Sequence, residues 1–437
     1  MKDKFVISEK INKIEEEEQQ ENECYFIFWG SYPPSKCGVG EYNKNMLTSI
    51  SQQTEFNCKI EVIALHKKTD EYEYTYLDDP NPVHILYLTE KEHSKGIKQA
   101  TDYLNNKMGN IYLIMQHEYG LTPNMMHPVI FLGQLKPSIK SHVILHTPGL
   151  VPNLDQYDVI KLMSRSTSTL ITLSWHGYHT LLDSYKIEKE KIKFFPHGIN
   201  LVINDEVPAI DSNLIQENDF LILSNGIIGT NKGFDKMIKA LKLLKDKNKL
   251  MKNMKFMIIG QVSNEKAMIP ILNLVKEYEL ENNFIWLNKY VSKNQLNDYI
   301  RRADVYVSLY NRHSSTSGTL LHAMGFGKAI ISSAYKFAIE ALSPDKGILI
   351  PTNDYEQLAA SVYYLYKNRD IQKLLEVNSL NYAKKIAWPR FGKTFLNYVL
   401  NGVYDSMIAE TEEYLNAPKS IKTSTSILER LPKGILR

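Results

Sequence analysis

The sequence has 437 residues, of which 43% are hydrophobic and 23% are charged, so it falls in the globular range and outside the compositions of disordered, collagen-like and coiled-coil proteins. This length exceeds what one hydrophobic core usually serves and indicates two domains. The net charge of +3, from 52 basic and 49 acidic side chains, gives no strong field and argues against dedicated nucleic-acid binding.

The start of the chain and its cysteines bear on the cellular compartment. Residues 1–22 form a flexible acidic leader that lacks the apolar core of a signal peptide, and no apolar run of about 18 residues occurs in the sequence. The three cysteines, Cys24, Cys37 and Cys58, are odd in number and lack C-x-x-C spacing. This pattern predicts reduced thiols, with neither a disulfide framework nor a zinc site. We therefore expect a cytoplasmic protein.

The first predicted domain occupies residues 23–205. Short apolar runs in it are separated by segments of helical length, which is the pattern of a parallel sheet with crossover helices. The runs are CYFIFWGS, KIEVIALH, NIYLIMQH, HVILHT and STLITLS. This alternation predicts a Rossmann-like α/β domain.

A linker and a second α/β domain follow. Residues 191–215 contain proline, glycine and acidic residues without clear periodicity, as a linker between domains would. The alternation restarts in the second predicted domain, residues 206–392, with the strand-like runs DFLILSNG, KFMIIGQV, NFIWLNKYV, ADVYVSLY and KAIISSA and the helix-like run FDKMIKALKLLKDK.

The last predicted segment, residues 393–437, combines a long terminal helix with a basic tail. Apolar positions recur at helical spacing from about Trp388 onward. The lysines and arginines of the tail are suited to peripheral contact with an anionic membrane surface. A solvated, flexible end is the alternative interpretation.

The first predicted strand leads into GSYPPSKCGVGEYNKNM, in which Gly38 and Gly40 precede a helix-like segment. Backbone amides and a helix N-terminus at this point could face a phosphate or a sugar. Asn43 stands where the third glycine of G-x-G-x-x-G would be, and the SYPPSKC insertion does not suit the tight turn of that fingerprint, which argues against NAD binding. Glycines that merely allow a compact loop are the structural alternative.

Histidines occur where three other predicted strands end: His117, followed by Glu118, in QHEYG, His146 in LHTPG, and His176 in SWHGYH. Because strand ends in α/β folds face the ligand crevice, these residues predict a polar cleft lining. A satisfied structural histidine is the alternative for each of them, and a catalytic zinc site is a weaker idea.

Two loops of the second domain are suited to bind phosphates. SNGIIGTNKGFDKMIKAL places Lys232 directly before a helix, where its charge would offset that of a leaving diphosphate. The loop SSTSGTLLHAMGFGKA lies between a strand and a helix and offers hydroxyls and amides. An exposed lysine before a helix is the alternative for Lys232, and the second loop taken alone could bind any anion.

The order and spacing of these motifs resemble the retaining glycosyltransferases of family 4, the group 1 glycosyltransferases with the GT-B fold, over about residues 24–395. YPPSKCGVGEY, QHEYG, FFPHGIN and GTNKGFDKMIKAL are similar to family motifs. The stretch from Tyr310 to Asp354 resembles a bacterial branch with an SGTLAYAVGAGKAVVS-type donor loop. The resemblance implies two Rossmann-like domains facing a cleft, with the acceptor in the first and a nucleotide-sugar donor in the second. It also implies no cofactor and no essential metal.

The resemblance further implies roles for single residues. The predicted catalytic residues are His117, which contacts the transferred sugar, Glu118, and Lys232, which contacts the diphosphate. His146 and His176 are predicted to line the acceptor side of the cleft. The predicted donor-binding residues are Gly38, Gly40, Gly226, Lys232, Ser317, Gly318, Thr319 and His322.

Two features depart from the family pattern. His313 or Ser314, and then His322, stand where typical members carry two glutamates, and Gly226 stands where a phosphate-binding arginine is usual. We predict a hexosyltransferase that moves a hexose from a nucleotide sugar to a glycan, lipid or small-molecule acceptor with retention of configuration. The alternatives are a retaining GT-B glycan phosphorylase and a catalytically impaired GT-B binding or partner subunit.

Overall fold

The computed structural model describes residues 23–35, 37–66, 79–87, 93–149, 152–202, 210–226, 229, 232–262, 268–289, 291–310 and 316–408. These residues form two compact units. The first unit holds the described residues up to Gly198 together with Trp388–Met407, and the second holds those of Ile199–Ala387 together with Ile408. The predicted leader, the basic tail, His313 and Ser314 lie outside the described residues.

The first unit is built on a seven-stranded parallel sheet in the order β3-β2-β1-β4-β5-β6-β7. The strands are β1 (Cys24–Gly30), β2 (Lys59–His66), β3 (Val83–Tyr87), β4 (Asn110–His117), β5 (Lys140–Leu145), β6 (Thr169–Thr172) and β7 (Ile192–Phe194). The helices that connect them are α1 (Gly38–Ser51), α2 (His93–Asn106), α3 (His127–Gly133), α4 (Leu154–Ser166) and α5 (Trp175–Asp183).

Both faces of this sheet are covered, which explains why its strands are continuous apolar runs instead of alternating patterns. In β1, Tyr25, Ile27 and Trp29 join a core formed with α2, α3 and α4. Phe26 and Phe28 point to the other face and join a core that includes α1. Polar residues predicted to be functional, such as His117 and His146, lie at or just beyond the ends of these buried strands.

The second unit repeats this design with a six-stranded parallel sheet in the order β10-β9-β8-β11-β12-β13. The strands are β8 (Phe220–Asn225), β9 (Met254–Ile259), β10 (Phe284–Leu287), β11 (Val305–Ser308), β12 (Ala329–Ser333) and β13 (Ile348–Ile350). The helices are α6 (Phe234–Asp246), α7 (Ile269–Glu277), α8 (Lys293–Arg302), α9 (Gly318–Gly325), α10 (Lys336–Leu342), α11 (Tyr355–Lys367) and α12 (Arg369–Lys385). Apolar cores lie on both faces of this sheet as well.

The last described helix, α13 (Trp388–Asn401), belongs to the first unit. Phe391 and Phe395 pack in the same core as Met46 of α1. The helix ends before Gly402, which has a φ of 70°, so it is shorter than the terminal helix expected from the apolar spacing. Like every other helix in the described part of the chain, it lacks the length and apolarity needed to cross a membrane.

The limits of the two units differ from the predicted domain limits. The sequence divides the chain after residue 205 and assigns residues 393–437 to a terminal segment, whereas the chain enters the second unit after Gly198 and returns to the first at Trp388. Linker composition shows where regular structure pauses, not where one core stops and the next begins. Helical periodicity likewise shows that α13 has an apolar face, but not which core that face covers.

The expectation of reduced thiols is wrong for two of the three cysteines. Cys24 and Cys58 form a disulfide, and Cys37 is free. The register of β1 and β2 pairs Tyr25 with Lys59, so the two preceding cysteines lie side by side, with their Cα atoms 4.6 Å apart. A sequence separation of 34 carries no information about strand register, which is why the sequence did not predict this pair.

Candidate functional site

The strand order reverses at one point in each sheet, between β1 and β4 in the first unit and between β8 and β11 in the second. In open parallel sheets, ligands bind at the carboxyl ends of the strands beside such a switch point. Several predicted site residues lie at these strand ends or just beyond them. His117 ends β4, Gly38 begins the helix after β1, and Lys232 and Ser317 lie in the loops after β8 and β11.

Three histidines, His117, His146 and His197, lie at or beyond strand ends in the first unit. His117 is the last residue of β4, and its carbonyl accepts a hydrogen bond of 3.0 Å from the backbone N–H of His146, which follows β5. Burial lowers the pKa of His117 to about 4 and that of His197, beyond β7, to about 4. Burial, together with the neighbouring His197 and His117, lowers the pKa of His146 to about 3. All three imidazoles are therefore neutral at neutral pH.

A directed chain of hydrogen bonds fixes the orientation of His146. The carbonyl of Ser31 can only accept, and Asn43 Nδ2 donates to it at 3.2 Å. Gln116 Nε2 in turn donates to Asn43 Oδ1 at 3.3 Å, so Gln116 Oε1 faces His146 Nε2 at 2.9 Å as an acceptor. His146 must therefore carry its proton on Nε2. Gly30 makes room for the chain, because a Cβ atom there would lie 2.9 Å from Gln116 Cβ.

Tyr42 of α1 lies between two of these histidines, with its ring edge-on to His146 and to His197 at 4.8 Å between ring centroids in both cases. His197 Nδ1 donates to the carbonyl of Gly198 at 2.8 Å, which fixes its tautomer. The Tyr42 hydroxyl and His117 Nε2 are buried and have no hydrogen-bond partner among the described residues. Buried polar atoms of this kind gain stability when a ligand group reaches them.

Two further predicted site residues, Glu118 and His176, have different surroundings from these histidines. Burial raises the pKa of the Glu118 carboxyl, and a hydrogen bond with Thr147 opposes this shift. The sequence placed His176 at the end of a strand. In the structure β6 ends at Thr172, and His176 is instead a buried residue in the first turn of α5, a helix capped by Ser174.

The two glycines predicted to approach a phosphate lie in the first turn of α1. Gly38 is exposed, and a Cβ atom there would meet no atom within 4 Å. Gly40 is buried, and a Cβ atom there would lie 3.3 Å from the backbone nitrogen of Tyr32. Gly38 therefore leaves open space before the helix, whereas Gly40 packs against the loop that follows β1.

In the second unit, Lys232 lies in the loop between β8 and α6. Its ammonium donates a hydrogen bond of 2.7 Å to the hydroxyl of Tyr310, which follows β11. Gly226, the first residue after β8, has a φ of 122°, a conformation that favours glycine. A Cβ atom on Gly226 would lie 3.5 Å from Lys232 Nζ and 3.4 Å from Thr319 Cγ2. The structure thus brings together the predicted residues Gly226, Lys232 and Thr319.

Hydroxyl groups surround this lysine. Ser317 caps α9 by accepting a hydrogen bond of 3.4 Å from the backbone N–H of Leu320, and its hydroxyl lies 3.3 Å from that of Thr319. Both hydroxyls also bond to Tyr310. Burial raises the pKa of the Tyr310 phenol, but the Lys232 charge and these hydrogen bonds outweigh it, so the pKa is lowered overall.

The other two predicted residues of this loop lie on α9. Gly318 is the exposed first residue of the helix, next to the Ser317 cap. His322 lies one turn further on and packs edge-on against Phe326 at 5.3 Å between ring centroids. Burial, with the charge of Lys293, lowers its pKa to about 4, so it is a neutral side chain where the family carries an acid.

Sequence reasoning missed several members of both clusters. In the first unit these are Asn43, Gln116 and Tyr42, and in the second Tyr306 and Tyr310. Gln116 is an amide within the apolar run NIYLIMQH, which was a usable signal. Tyr306 donates to Asn225 Oδ1 at 2.8 Å across neighbouring strands, a contact that the sequence could not reveal because it depends on register.

No group of three or more His, Cys, Asp or Glu side chains that could hold a metal ion occurs among the described residues. The expectation that no metal is essential stays a prediction, because a donor substrate can supply ligands of its own.

Comparisons with known proteins bear first on the second unit. Residues 208–384 match the model of the family described as Glycosyl transferases group 1. This part of the chain is therefore similar to a group 1 glycosyltransferase domain. A 105-residue stretch is 29% identical to a protein of Methanocaldococcus jannaschii described as an uncharacterized glycosyltransferase, and it covers 24% of this chain and 27% of that protein. The match thus spans about a quarter of the relative's length.

Solved structures bear on the fold of the whole chain. HepE of Anabaena, crystallised with UDP, superposes with a TM-score of 0.68 at 13% identity over 87% of this chain and 100% of that chain. Its complex with UDP-glucose gives a TM-score of 0.66 at 13% identity over the same shares. Sucrose-phosphate synthase of Thermosynechococcus elongatus gives 0.65 at 14% identity over 86% of this chain and 97% of that chain. These likenesses confirm the predicted GT-B fold with two Rossmann-like domains.

Proposed function

We propose that the protein is a retaining glycosyltransferase of family 4 that transfers a hexose from a nucleotide sugar to a glycan, lipid or small-molecule acceptor. The observation that carries the proposal is the position of Lys232 at the switch point of the second sheet, within the domain matched by the group 1 family. The SGTLAYAVGAGKAVVS-type donor loop at residues 317–332 supports the choice of family branch.

The surroundings of Lys232 suit a diphosphate. Within the described ranges its ammonium makes no ion pair with a carboxylate, and its polar partner is the neutral hydroxyl of Tyr310. The first turn of α9 adds N–H groups and the hydroxyls of Ser317 and Thr319, and a helix N-terminus favours an anion. A diphosphate at this point would receive charge-assisted hydrogen bonds from the lysine. The HepE complexes with UDP and UDP-glucose support a uridine nucleotide sugar as the first donor to test.

We assign the residues of the first unit to the sugar and the acceptor. His117 Nε2 is buried without a partner among the described residues. It would form a hydrogen bond with a hydroxyl group of the transferred hexose, as acceptor or as donor according to its tautomer. Glu118, whose pKa is raised by burial, His146 and His176 complete the polar lining on the acceptor side. Gly38 and Gly40 would admit the donor phosphates to the N-terminus of α1.

The proposed reaction needs no carboxylate nucleophile. The acceptor hydroxyl attacks the anomeric carbon on the same face from which the diphosphate leaves, and its proton passes to an oxygen of the leaving phosphate. The new C–O bond forms as the bond to the diphosphate breaks, so the configuration is retained. Lys232 stabilises the charge that develops on the leaving group. No cofactor and no essential metal are part of this proposal.

We propose a cytoplasmic location, with peripheral contact between the basic tail and an anionic membrane where the acceptor is lipid-linked. The Cys24–Cys58 disulfide is unusual for a cytoplasmic protein. Alkylation of the protein immediately after cell lysis, followed by mass measurement, reports whether these two thiols are oxidised there.

The test is a donor panel. The protein is incubated with UDP-, GDP-, ADP- and dTDP-hexoses, with and without a mixture of sugar acceptors, and release of the nucleoside diphosphate is measured. Calorimetry reports binding in parallel, and NMR of the anomeric proton of the product reports retention or inversion. Absence of both turnover and binding with every donor would refute the proposal.

A substitution at Lys232 sharpens this test. Lys232→Ala should weaken binding of the nucleoside diphosphate by about 1.5 to 3 kcal/mol, the range of a hydrogen bond to a charged group. Unchanged affinity in this variant would remove Lys232 from its proposed role.

A second candidate, a catalytically impaired binding or partner subunit, is favoured by one observation. Gly226 and His322 stand where the family carries an arginine and an acid, and the structure gives neither position a charged side chain at neutral pH. Tight nucleotide-sugar binding without turnover on any acceptor would favour this candidate. Phosphate-dependent release of a sugar 1-phosphate from a glycan would favour the phosphorylase alternative.

A further inference from the structure

The backbone of Tyr310 is held by a single hydroxyl group. The Tyr310 N–H donates to Ser333 Oγ at 2.8 Å, and Ser333 Oγ donates back to the Tyr310 carbonyl at 2.9 Å. The Tyr310 ring also packs edge-on against Tyr335, with 5.0 Å between ring centroids. Ser333 is the last residue of β12, so Tyr310 is fixed to the sheet itself, although it lies beyond the end of β11.

The hydroxyl of Tyr310 is the group that contacts Lys232. It accepts from Lys232 Nζ at 2.7 Å, and the same ammonium lies 4.3 Å from the centroid of the Tyr310 ring. Ser317 and Thr319 also bond to this phenol. The charge of Lys232 and the hydrogen bonds with Ser317 and Thr319 all lower the pKa of this phenol.

A lysine without such a partner would be poorly placed. Its flexible four-carbon stem loses rotamer entropy when the ammonium is held in one place, and the ammonium makes no planar fork with a phosphate. Gly226, the residue directly after β8, lies close to the lysine but has no side chain to hold it. A Cβ atom there would be only 3.5 Å from Lys232 Nζ. The phenol is thus the group that holds the ammonium beside α9.

We propose that Tyr310 is a positioning residue for Lys232 and holds its ammonium where the donor diphosphate binds. This inference rests on the proposed function, because it takes a diphosphate as the ligand of Lys232. The rigidly held phenol removes part of the entropy that a free lysine would lose on binding. Nothing in the role requires Tyr310 to touch the ligand, since it acts through the lysine.

The experiment is a double-mutant cycle measured by calorimetry. Full-length wild-type protein, Tyr310→Phe, Lys232→Met and the double variant are titrated with UDP and, separately, with inorganic pyrophosphate, which has no base or ribose. Tyr366→Phe is the matched control, because its hydroxyl bonds to Asn253 at 3.3 Å near the amino ends of β8 and β9, the opposite edge of the same sheet. The melting temperature of each variant is recorded.

We expect Tyr310→Phe to lower affinity for both ligands about tenfold, a hydrogen bond's contribution, while Tyr366→Phe leaves it unchanged. In the Lys232→Met background, Tyr310→Phe should cause no further loss, because two residues that act as one unit are not additive. Such coupling would not arise from a merely structural tyrosine, whose loss would weaken binding equally in both backgrounds.

The possible failures are distinguishable. If wild-type protein binds but Tyr310→Phe binds equally well, or if the losses in the double variant add, the positioning role is overturned and the proposed function stands. If the wild-type protein binds neither UDP nor any other nucleoside diphosphate, nor pyrophosphate, both the proposed function and this inference are overturned.

Discussion

The hydroxyl of Tyr404 makes two hydrogen bonds with the backbone of Phe194, accepting from its N–H at 3.1 Å and donating to its carbonyl at 2.9 Å. Phe194 is the last residue of β7, which is an edge strand of the first sheet. Unpaired N–H and C=O groups on an edge strand are a template for pairing with another chain. Tyr404 therefore occupies the position that an added strand would take.

Removal of this hydroxyl should leave the N–H and carbonyl of Phe194 without their partner. In Tyr404→Phe we expect the free energy of unfolding to fall by about 1 to 3 kcal/mol, because two backbone groups lose their partner. Hydrogen exchange of a peptide covering residues 192–195 should become faster. The exposed Tyr355 offers a control, since Tyr355→Phe should change stability by less than about 0.5 kcal/mol. Equal exchange in parent and variant would contradict the role of Tyr404.

The buried histidines should make the first unit sensitive to acid. Burial lowers the pKa values of His117, His142 and His197 to about 4, against an ordinary value of 6.5. Between these values the unfolded chain binds protons that the folded chain does not, so stability falls as the pH is lowered from about 6.5 to 4. Each of the three histidines should lower the free energy of unfolding by about 2 kcal/mol between pH 7 and pH 5.

Urea unfolding at the two pH values measures this effect. His142→Gln, which cannot titrate, should lose less stability between pH 7 and pH 5 than the parent protein. A free energy of unfolding that is the same at both values would show that these histidines are not held neutral.

The chain of hydrogen bonds from Ser31 to His146 predicts that a substitution at Gln116 changes the pKa of His146. In Gln116→Glu a carboxylate replaces the amide beside His146 Nε2, and a nearby negative charge favours the imidazolium. We expect the pKa of His146 to rise from about 3 toward its ordinary value. NMR of protein labelled at histidine Cε1, with the signal assigned from His146→Gln, follows the titration. Gln116→Met is the uncharged control and should produce no rise.

A close contact between helices predicts opposite effects at two glycines. A Cβ atom on Gly392 of α13 would collide with the backbone carbonyl of Ser49 on α1. Gly392→Ala should therefore destabilise the protein by about 1 to 3 kcal/mol, as overpacking does. A Cβ atom on Gly133 of α3 would meet no atom within 4 Å, so Gly133→Ala should leave stability unchanged or raise it by up to about 1 kcal/mol. Thermal unfolding of the two variants compares them, and equal effects would contradict this packing.

A substitution at Gly38 can test the predicted contact with a phosphate without disturbing folding. Its Cβ position is open, so Gly38→Ala should fold with an unchanged melting temperature. If donor phosphates approach this backbone, the same variant should bind the donor less tightly, measured by calorimetry. A variant that folds and binds the donor as well as the parent would leave Gly38 with a purely structural role.

The sequence predicted the strands at the centre of each sheet better than those at the edges. β1, β4 and β8 are continuous apolar runs, because both of their faces are buried. β3, β7 and β13 were missed. β7 and β13 have three residues each, too few for a pattern, and β3 is partly exposed. The predictable part of the fold is therefore the part that packing dictates locally.

The candidate site was predictable to a similar degree. Lys232 and Ser317 stand next to helix starts, so their proposed roles could be predicted from neighbouring residues in the sequence. Tyr310 was not identified, because its partners are a lysine 78 residues earlier and a serine 23 residues later. Contacts between loops that follow different strands depend on strand order, and the sequence pattern does not specify strand order.

The return of α13 to the first unit has a practical consequence for making separate domains. Apart from Ile408, the described residues of the second unit lie within the continuous segment 199–387, so this segment is the natural single fragment for that unit. A fragment that stops at residue 198 would lack Phe391 and Phe395 and would expose the face of α1 that they cover. A stop codon near residue 387 would therefore destabilise the first unit, although most of that unit lies at the amino-terminal end of the chain. A working version of that half needs residues 388–407 joined back to it by a linker.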